Sequence, residues 1–275
     1  METINSILGS MLDGLLRQFH GAHPFWPLLI LSALMGMVLL GVFRFTSNQQ
    51  GIQETKNRIK AHLLEIRLFK DDLGALLSAQ GSILKYNLQY MAYGLKPLLV
   101  IIIPVAVMLI QCEGWFGSRP LKPGEFTLVS AFMSADESDN LPLVELEVSD
   151  GLSIETPSLR IPAVREIDWK IKAEKPGEHY LLVKLKGKEI AKSVTVSTGG
   201  LARVSPVRPS ADFWSVALHP GESPIPKDDP VREISLDYPS RSIDVFGWKL
   251  HWLLVFFVLS TLSGFLFKGL FKVEI

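Results

Sequence analysis

The sequence predicts a membrane α-helical protein, with three transmembrane helices and a cytoplasmic helical hairpin, into which an all-β sandwich is inserted. Three observations carry this. There are three long apolar runs, a helically patterned basic segment between the first two, and a period-two segment between the second and third. Composition agrees. Of 275 residues 48% are hydrophobic and 20% charged, and mean hydropathy is +0.26, more apolar than an ordinary soluble domain. Lys+Arg and Asp+Glu number 28 each, so net charge draws no specific nucleic acid. A single cysteine, Cys112, excludes an internal disulfide framework and a cysteine-based zinc cluster.

The first span is expected within residues 24–46. Residues 25–43 carry no charge and end at Arg44, and at 1.5 Å per residue they cross roughly 28 Å, about a hydrocarbon core. Pro24 and Pro27 sit where missing N–H groups matter least, and Trp26 suits the interface. The second span, residues 95–113, begins with Lys96-Pro97 and has Pro104 near its centre. The third, residues 246–268, has Trp248 and Trp252 as interfacial anchors, with Lys249 and His251 nearby. The two shorter runs have buried soluble helices as their alternative.

Residues 1–22 show a different spacing. Ile4, Ile7, Leu8, Met11, Leu12, Leu15, Leu16 and Phe19 recur helically, with Glu2, Asn5, Ser6, Ser10, Asp13 and Arg17 elsewhere. Acidic residues and interior glycines make a poor signal peptide. The segment reads as a helix in the membrane plane, or as one packed on the protein's own spans or a partner.

Loop charges set the orientation. Between the first two spans Arg44, Lys56, Arg58, Lys60, Arg67, Lys70, Lys85 and Lys96 outnumber the acids, and Lys268 and Lys272 follow the third span. The hairpin and the tail, residues 269–275, therefore face the cytoplasm. The chain's size and style read as bacterial. This places it in the inner membrane, with its N-terminus and large domain in the periplasm.

Residues 47–94 read as a helical hairpin. Ile52, Ile59, Leu63 and Ile66 form a stripe joined by Leu64, Leu68 and Phe69, and Asp71-Asp72-Leu73-Gly74 marks the turn, with Asp72 as N-cap. Leu76, Leu77, Ile83, Leu84, Leu88 and Met91 give the returning helix an apolar side. Such a hairpin is either a self-satisfied coiled coil or an arm that docks a ribosome, a nascent chain or a partner.

Beyond the second span the period becomes two. Residues 118–199 alternate as strands near 125–133, 143–149, 166–173, 180–185 and 190–196, with Gly/Pro turns between several of them. This argues a small antiparallel sandwich, immunoglobulin-like in size, although no Cys…Trp…Cys pattern is present. Trp169 is expected in its core. Residues 200–245 hold seven of the 17 prolines and read as an extended strap. Phe213, Trp214 and Val216 are its candidate anchors, against the sandwich or against a partner subunit.

No nucleotide, zinc-protease or serine-hydrolase motif occurs, and no enzyme is expected. His20 and His23 lack a third ligand, and His251 alone is a weak haem candidate. Arg44 either snorkels to headgroups or faces a groove. Ser32 and Thr46 offer that groove little else.

These ordered features resemble the YidC/Oxa-type insertase superfamily. They are an outer helix, a first span ending in Arg44, a basic hairpin running from Gln53-Glu54-Thr55-Lys56 to Lys70-Asp71-Asp72, and two further spans. The likeness is to the three-span branch that includes the insertase core of the endoplasmic reticulum membrane complex, and it covers residues 1–113 and 246–272. The resemblance implies insertion of short hydrophobic segments of nascent membrane proteins through a hydrophilic groove, without cofactor or nucleotide. It implies contacts to clients from Arg44, Leu40, Lys56, Arg58, Lys60, Leu63 and Arg67. The inserted β domain, the apolar run Leu34 to Leu40 and a tail without a basic extension depart from the family. They favour a second expectation, a structural subunit of a larger membrane complex.

Overall fold

The structure is a computed structural model that describes residues 2–19, 21–134, 143–185, 187–271 and 273, with side chains from residue 9 onward. His20, Lys186, Lys272 and the side chains of Glu2, Ile4, Asn5, Ser6, Ile7 and Leu8 lie outside the described set. The fold is mixed: several helices, three of them long and apolar enough to cross a membrane, and a separate region of β-strands. The chain divides into two compact units. One comprises Met1–Pro27 and Met108–Trp252, the other Leu28–Val107 and Leu253–Ile275.

The first unit is built from α1 (Glu2–Leu16) and strands β1 (Phe126–Met133), β2 (Glu145–Val148), β3 (Leu152–Ile154), β4 (Leu159–Ile161), β5 (Glu166–Ala173), β6 (Gly177–Leu185) and β7 (Lys188–Val196). β8 (Val207–Arg208), the short helix α5 (Phe213–Leu218), β9 (Val231–Leu236), β10 (Ser242–Val245) and β11 (Trp248–His251) complete it. One sheet has the order β3-β5-β1-β9-β8, with β4 also on β5; a second runs β2-β6-β7. Every pairing among them is antiparallel. Alternation makes the core. Val129 and Ala131 of β1, Ile167, Trp169 and Ile171 of β5, and Leu181 and Val183 of β6 are buried in one cluster fed by both sheets.

Residues 200–245 are not an extended strap. They hold β8, α5 and β9, and β9 pairs with β1 along Val129–Met133, so this segment closes the larger sheet. The prolines fall mainly between these elements, where a missing N–H breaks no ladder. Phe213 and Trp214 do not anchor it to the strands, being 56% and 73% exposed. The fastening comes from polar groups instead. Lys192 occupies an inward position of β7 between Ile190 and Val194, with no exposed surface, and its ammonium reaches Glu222 and the Ser205 carbonyl. Burial pulls this lysine below the usual range, against the opposing pull of Glu222. Tyr238 accepts from the Thr195 N–H at 2.9 Å, and burial raises its phenol above the usual value.

The first and last stretches of the unit meet. Ser118 and Ser240 form an antiparallel bridge. Arg119 N–H donates to the Pro239 carbonyl and Arg241 N–H to the Gly117 carbonyl, each at 2.9 Å. The Arg241 guanidinium adds bonds to the carbonyls of Ser118 and Gly200, and burial lowers it to about 10. Alongside, Arg119 grips Glu125 with two bonds of 2.8 and 2.9 Å, which hold that carboxyl below its usual range. Phe116 stacks on Trp252 at 6.2 Å. Trp252 is therefore buried, 1% exposed, and is not an interfacial anchor.

The amphipathic N-terminal segment is helical from Glu2 to Leu16. Leu12 and Leu16 are buried. Asp13 accepts from Arg203 at 2.8 and 2.9 Å and from Trp115 Nε1 at 3.2 Å.

The buried Lys192–Glu222 pair gives a test. Lys192→Met leaves Glu222, 14% exposed, without its cation, and a loss of about 3–5 kcal/mol is expected. Lys192→Met with Glu222→Leu removes both charges and recovers most of that loss. Urea unfolding of the full-length protein in detergent measures the cycle, and additive effects would contradict the pairing.

Candidate functional site

The second unit holds most of α2 (Phe25–Thr46), α3 (Gln49–Leu68), most of α4 (Leu73–Cys112) and most of α6 (Trp252–Phe271). Asn48 begins α3 by accepting from the Gly51 N–H at 3.0 Å. Asp72 starts α4, accepting from Gly74 and Ala75 at 2.9 and 3.1 Å. α4 then runs 40 residues through Gly81, Pro97 and Pro104, about 60 Å at the α-helical rise. The returning helix and the second expected span are one continuous helix, with no break in it at residues 94/95. Each proline removes one N–H from the helix and frees one carbonyl, which neighbouring polar groups or a local backbone adjustment must satisfy in an apolar setting.

α3 and α4 run antiparallel through an aromatic seam. Tyr93 lies against Gly51. The Arg58 guanidinium donates to Tyr86 Oη at 3.0 Å and sits 5.4 Å from its ring. His62 stacks on the same ring at 5.6 Å. Ile52, Thr55 and Ala79 are buried, and Ile59, Ile66, Leu76 and Ile83 partly so. The leucines assigned to these stripes by spacing mostly point away. Leu63, Leu64, Leu68, Leu77, Leu84 and Leu88 are 53–73% exposed, Phe69 52% and Met91 67%. The pair thus has two apolar faces, one used in its own packing and one open. Tyr86, Tyr90 and Tyr93 were the overlooked members, legible as a helical i, i+4, i+7 series.

The expected client-contacting residues divide. Lys60, Leu63 and Arg67 are exposed on α3, Arg58 is exposed but held by Tyr86, and Lys56 is half-buried. Leu40 is 5% exposed and lines no open surface. This corrects the expectation for it: its position on α2 falls on the packed side. Arg44 Nη1 donates to the Phe271 carbonyl at 2.7 Å, a cation on the last turn of α6. Ser32 is fully buried and faces no opening, and the hydroxyl of half-buried Thr46 bonds back to the Val42 carbonyl.

α2 and α6 approach closely where side chains are small. A Cβ on Gly36 would lie 2.5 Å from the Ser260 carbonyl oxygen and 2.9 Å from Ser263 Cβ. Ser263 Oγ donates to the Ala33 carbonyl at 3.0 Å. Close backbone contact and interhelical hydrogen bonds replace the hydrophobic effect that lipid cannot supply.

In the first unit, the expected partner residues Phe213 and Trp214 form an exposed edge-to-face pair at 5.2 Å, and Val216 is half-buried. Elsewhere in that unit Asp13, Arg17, Trp115, Glu178, Thr195 and Arg203 line an open cavity of about 530 Å³. Within it Arg203 pairs with Asp13, and Glu178 accepts from Thr195 Oγ1 at 3.1 Å. His23 Nδ1 accepts from the Phe25 N–H at 3.3 Å. Among the described residues no three His, Cys, Asp or Glu side chains converge as metal ligands.

Comparison with protein-family models, curated proteins and solved structures returns no match to this chain.

Gly36→Leu is expected to push α6 off α2 and lower the thermal unfolding midpoint of the detergent-solubilised protein by several degrees. Val38→Leu, on a side chain 53% exposed, is expected to leave it unchanged. Equal midpoints for both variants would contradict the close contact.

Proposed function

We propose that this chain is a membrane-protein assembly factor of the insertase type. α3 and the adjoining half of α4 form a hairpin on the cytoplasmic side that holds hydrophobic segments of client proteins on its exposed leucines. The spans then guide those segments into lipid. One observation carries the reading: an apolar face of α3 and α4 that their own packing leaves open, flanked by exposed Lys60 and Arg67. Fully burying one leucine contributes roughly 1.5–3 kcal/mol. A few of these side chains are therefore enough to retain a transient apolar segment, and too few to retain it permanently.

The order of features shared with the YidC/Oxa-type superfamily supports the same reading, as does the excess of basic residues on this segment. The β unit is then an immunoglobulin-like sandwich in the periplasm of a bacterial inner-membrane protein. Arg44 acts in positioning α2 on α6, and the leucine face takes over the reception of clients.

A second reading has its own support. Leu40 is buried and Arg44 is engaged, so two residues that a hydrophilic groove would use are occupied. A structural subunit of a larger membrane complex would keep them so. It would grip its neighbours through the same leucines and through Phe213 and Trp214.

Photo-crosslinkers at Leu64, Leu77 and Leu88 in native membranes separate the readings. A spread of short-lived nascent membrane proteins is expected. One or two stoichiometric adducts would replace the first reading by the second, and lipid adducts alone would place the face in the bilayer and overturn both.

A further inference from the structure

β10 and β11 form a small sheet of their own, outside the two sheets that share the core. Their turn is Phe246-Gly247, with φ of 53° and 86°. Two successive positive φ values are the mark of a type I′ turn, whose twist suits a two-residue hairpin. The first such position favours Asn, Asp or Gly, because a bulky side chain there crowds the backbone. This chain carries phenylalanine instead. Asp244 Oδ1 holds the turn by accepting from the Gly247 N–H at 2.9 Å.

Among the described residues nothing covers that phenylalanine. Phe246 is 99% exposed, and Trp248 beside it is 73% exposed. Register sorts the hairpin into two faces. Val245 pairs with Trp248 and Ile243 with Leu250 on one, Asp244 with Lys249 and Ser242 with His251 on the other. Ile243 is fully buried at the base, so the apolar face leads outward from an anchored foot to a free aromatic tip. A strained, sterically disfavoured residue at an exposed tip argues for a use outside the fold.

The chain itself indicates what covers it. β11 ends at His251 and α6 begins at Trp252 with no residue between them, and α6 is one of the three helices apolar enough to cross a membrane. At about 3.3 Å per strand residue, the tip lies within roughly 20 Å of the start of that span. Aromatic side chains beside a span belong to the headgroup boundary, where an apolar ring and a polar rim are both accommodated.

We propose that the β10–β11 hairpin dips into the lipid interface at the end where α6 begins, with Phe246 and Trp248 inserted among the upper acyl carbons. Asp244 and Lys249 keep its other face in water and headgroups. The hairpin is a lipid foothold for the first unit, additional to the spans, and it does not depend on the function proposed above.

Cys112 is the only native cysteine and is buried, so a cysteine at 246 can be labelled alone. The full-length Phe246→Cys protein carrying an environment-sensitive fluorophore is placed in phosphatidylcholine–phosphatidylglycerol nanodiscs, with Glu155→Cys as the exposed control. Blue-shifted emission at 246 is expected, with protection from iodide and severalfold stronger quenching by lipids spin-labelled near the headgroup than at 155. Water-like emission and equal iodide quenching would overturn the proposal, as would iodide protection without lipid quenching. A second variant tests the strain. Phe246→Asn, made in protein labelled at Trp248→Cys, is expected to leave the unfolding midpoint unchanged or higher while reducing lipid quenching severalfold. A lower midpoint with lipid quenching intact would make Phe246 a structural residue and overturn the proposal.

Discussion

The β unit depends on one constraint: a domain inserted between two spans must bring its two chain ends together. Here that closure is a short antiparallel contact between residues 117–119 and 239–241, bonded through backbone groups and the Arg241 guanidinium. Closure dictates the sheet order. With the first and last stretches adjacent, β1 takes β9 as its neighbour, and the Pro-rich segment that precedes β9 has to return across the unit. A buried arginine is a demanding fastener, since its charge must be matched by carbonyls in a site that has lost water. The same site rejects any slip of the two stretches, because a shift would leave those carbonyls and the guanidinium unpaired.

The two units handle apolar surface differently. In the β unit, alternation drives every second residue of β1, β5 and β6 into a shared core. The helical pair spends its inner face on Tyr86, Tyr93, His62 and isoleucines, leaving leucines outside. Exposed leucine is unremarkable when scattered; here Leu63, Leu64, Leu68, Leu77, Leu84 and Leu88 are all more than half exposed along α3 and α4. The aromatic seam also restrains the pair through Arg58–Tyr86 and His62–Tyr86. The exposed leucines therefore sit on an ordered frame.

Apolar run length, period and turn chemistry located the three long apolar helices, β1, β2, β5, β6 and β7, the core role of Trp169 and the cap at Asp72. Each rests on local pattern or local chemistry, so short-range reading suffices. Other features were decided by long-range geometry. β9 lies in a stretch whose prolines argue against strand, yet between Val231 and Leu236 there is none, and β1 supplies its partner. Lys192 looks like a surface residue until Glu222 arrives from 30 positions away. Spacing could not choose between two apolar faces on α3, because leucine and isoleucine satisfy either one; the tyrosines of α4 made the choice. Arg44 was visible as a charge at the end of a span, but its partner, the Phe271 carbonyl, is 227 residues distant. The Phe246-Gly247 turn was absorbed into an apolar run because Trp248 and Trp252 read together as the start of a span.

The most direct test of the account is the rate at which newly made membrane proteins enter native membranes when Leu64, Leu77 and Leu88 are all replaced by glutamine. These side chains are 59–67% exposed, so the variant is expected to accumulate normally. Pulse-labelling should then show slowed insertion of short hydrophobic segments, with the wild-type rate restored by the unaltered chain. Unchanged insertion by a folded, abundant variant would contradict the account.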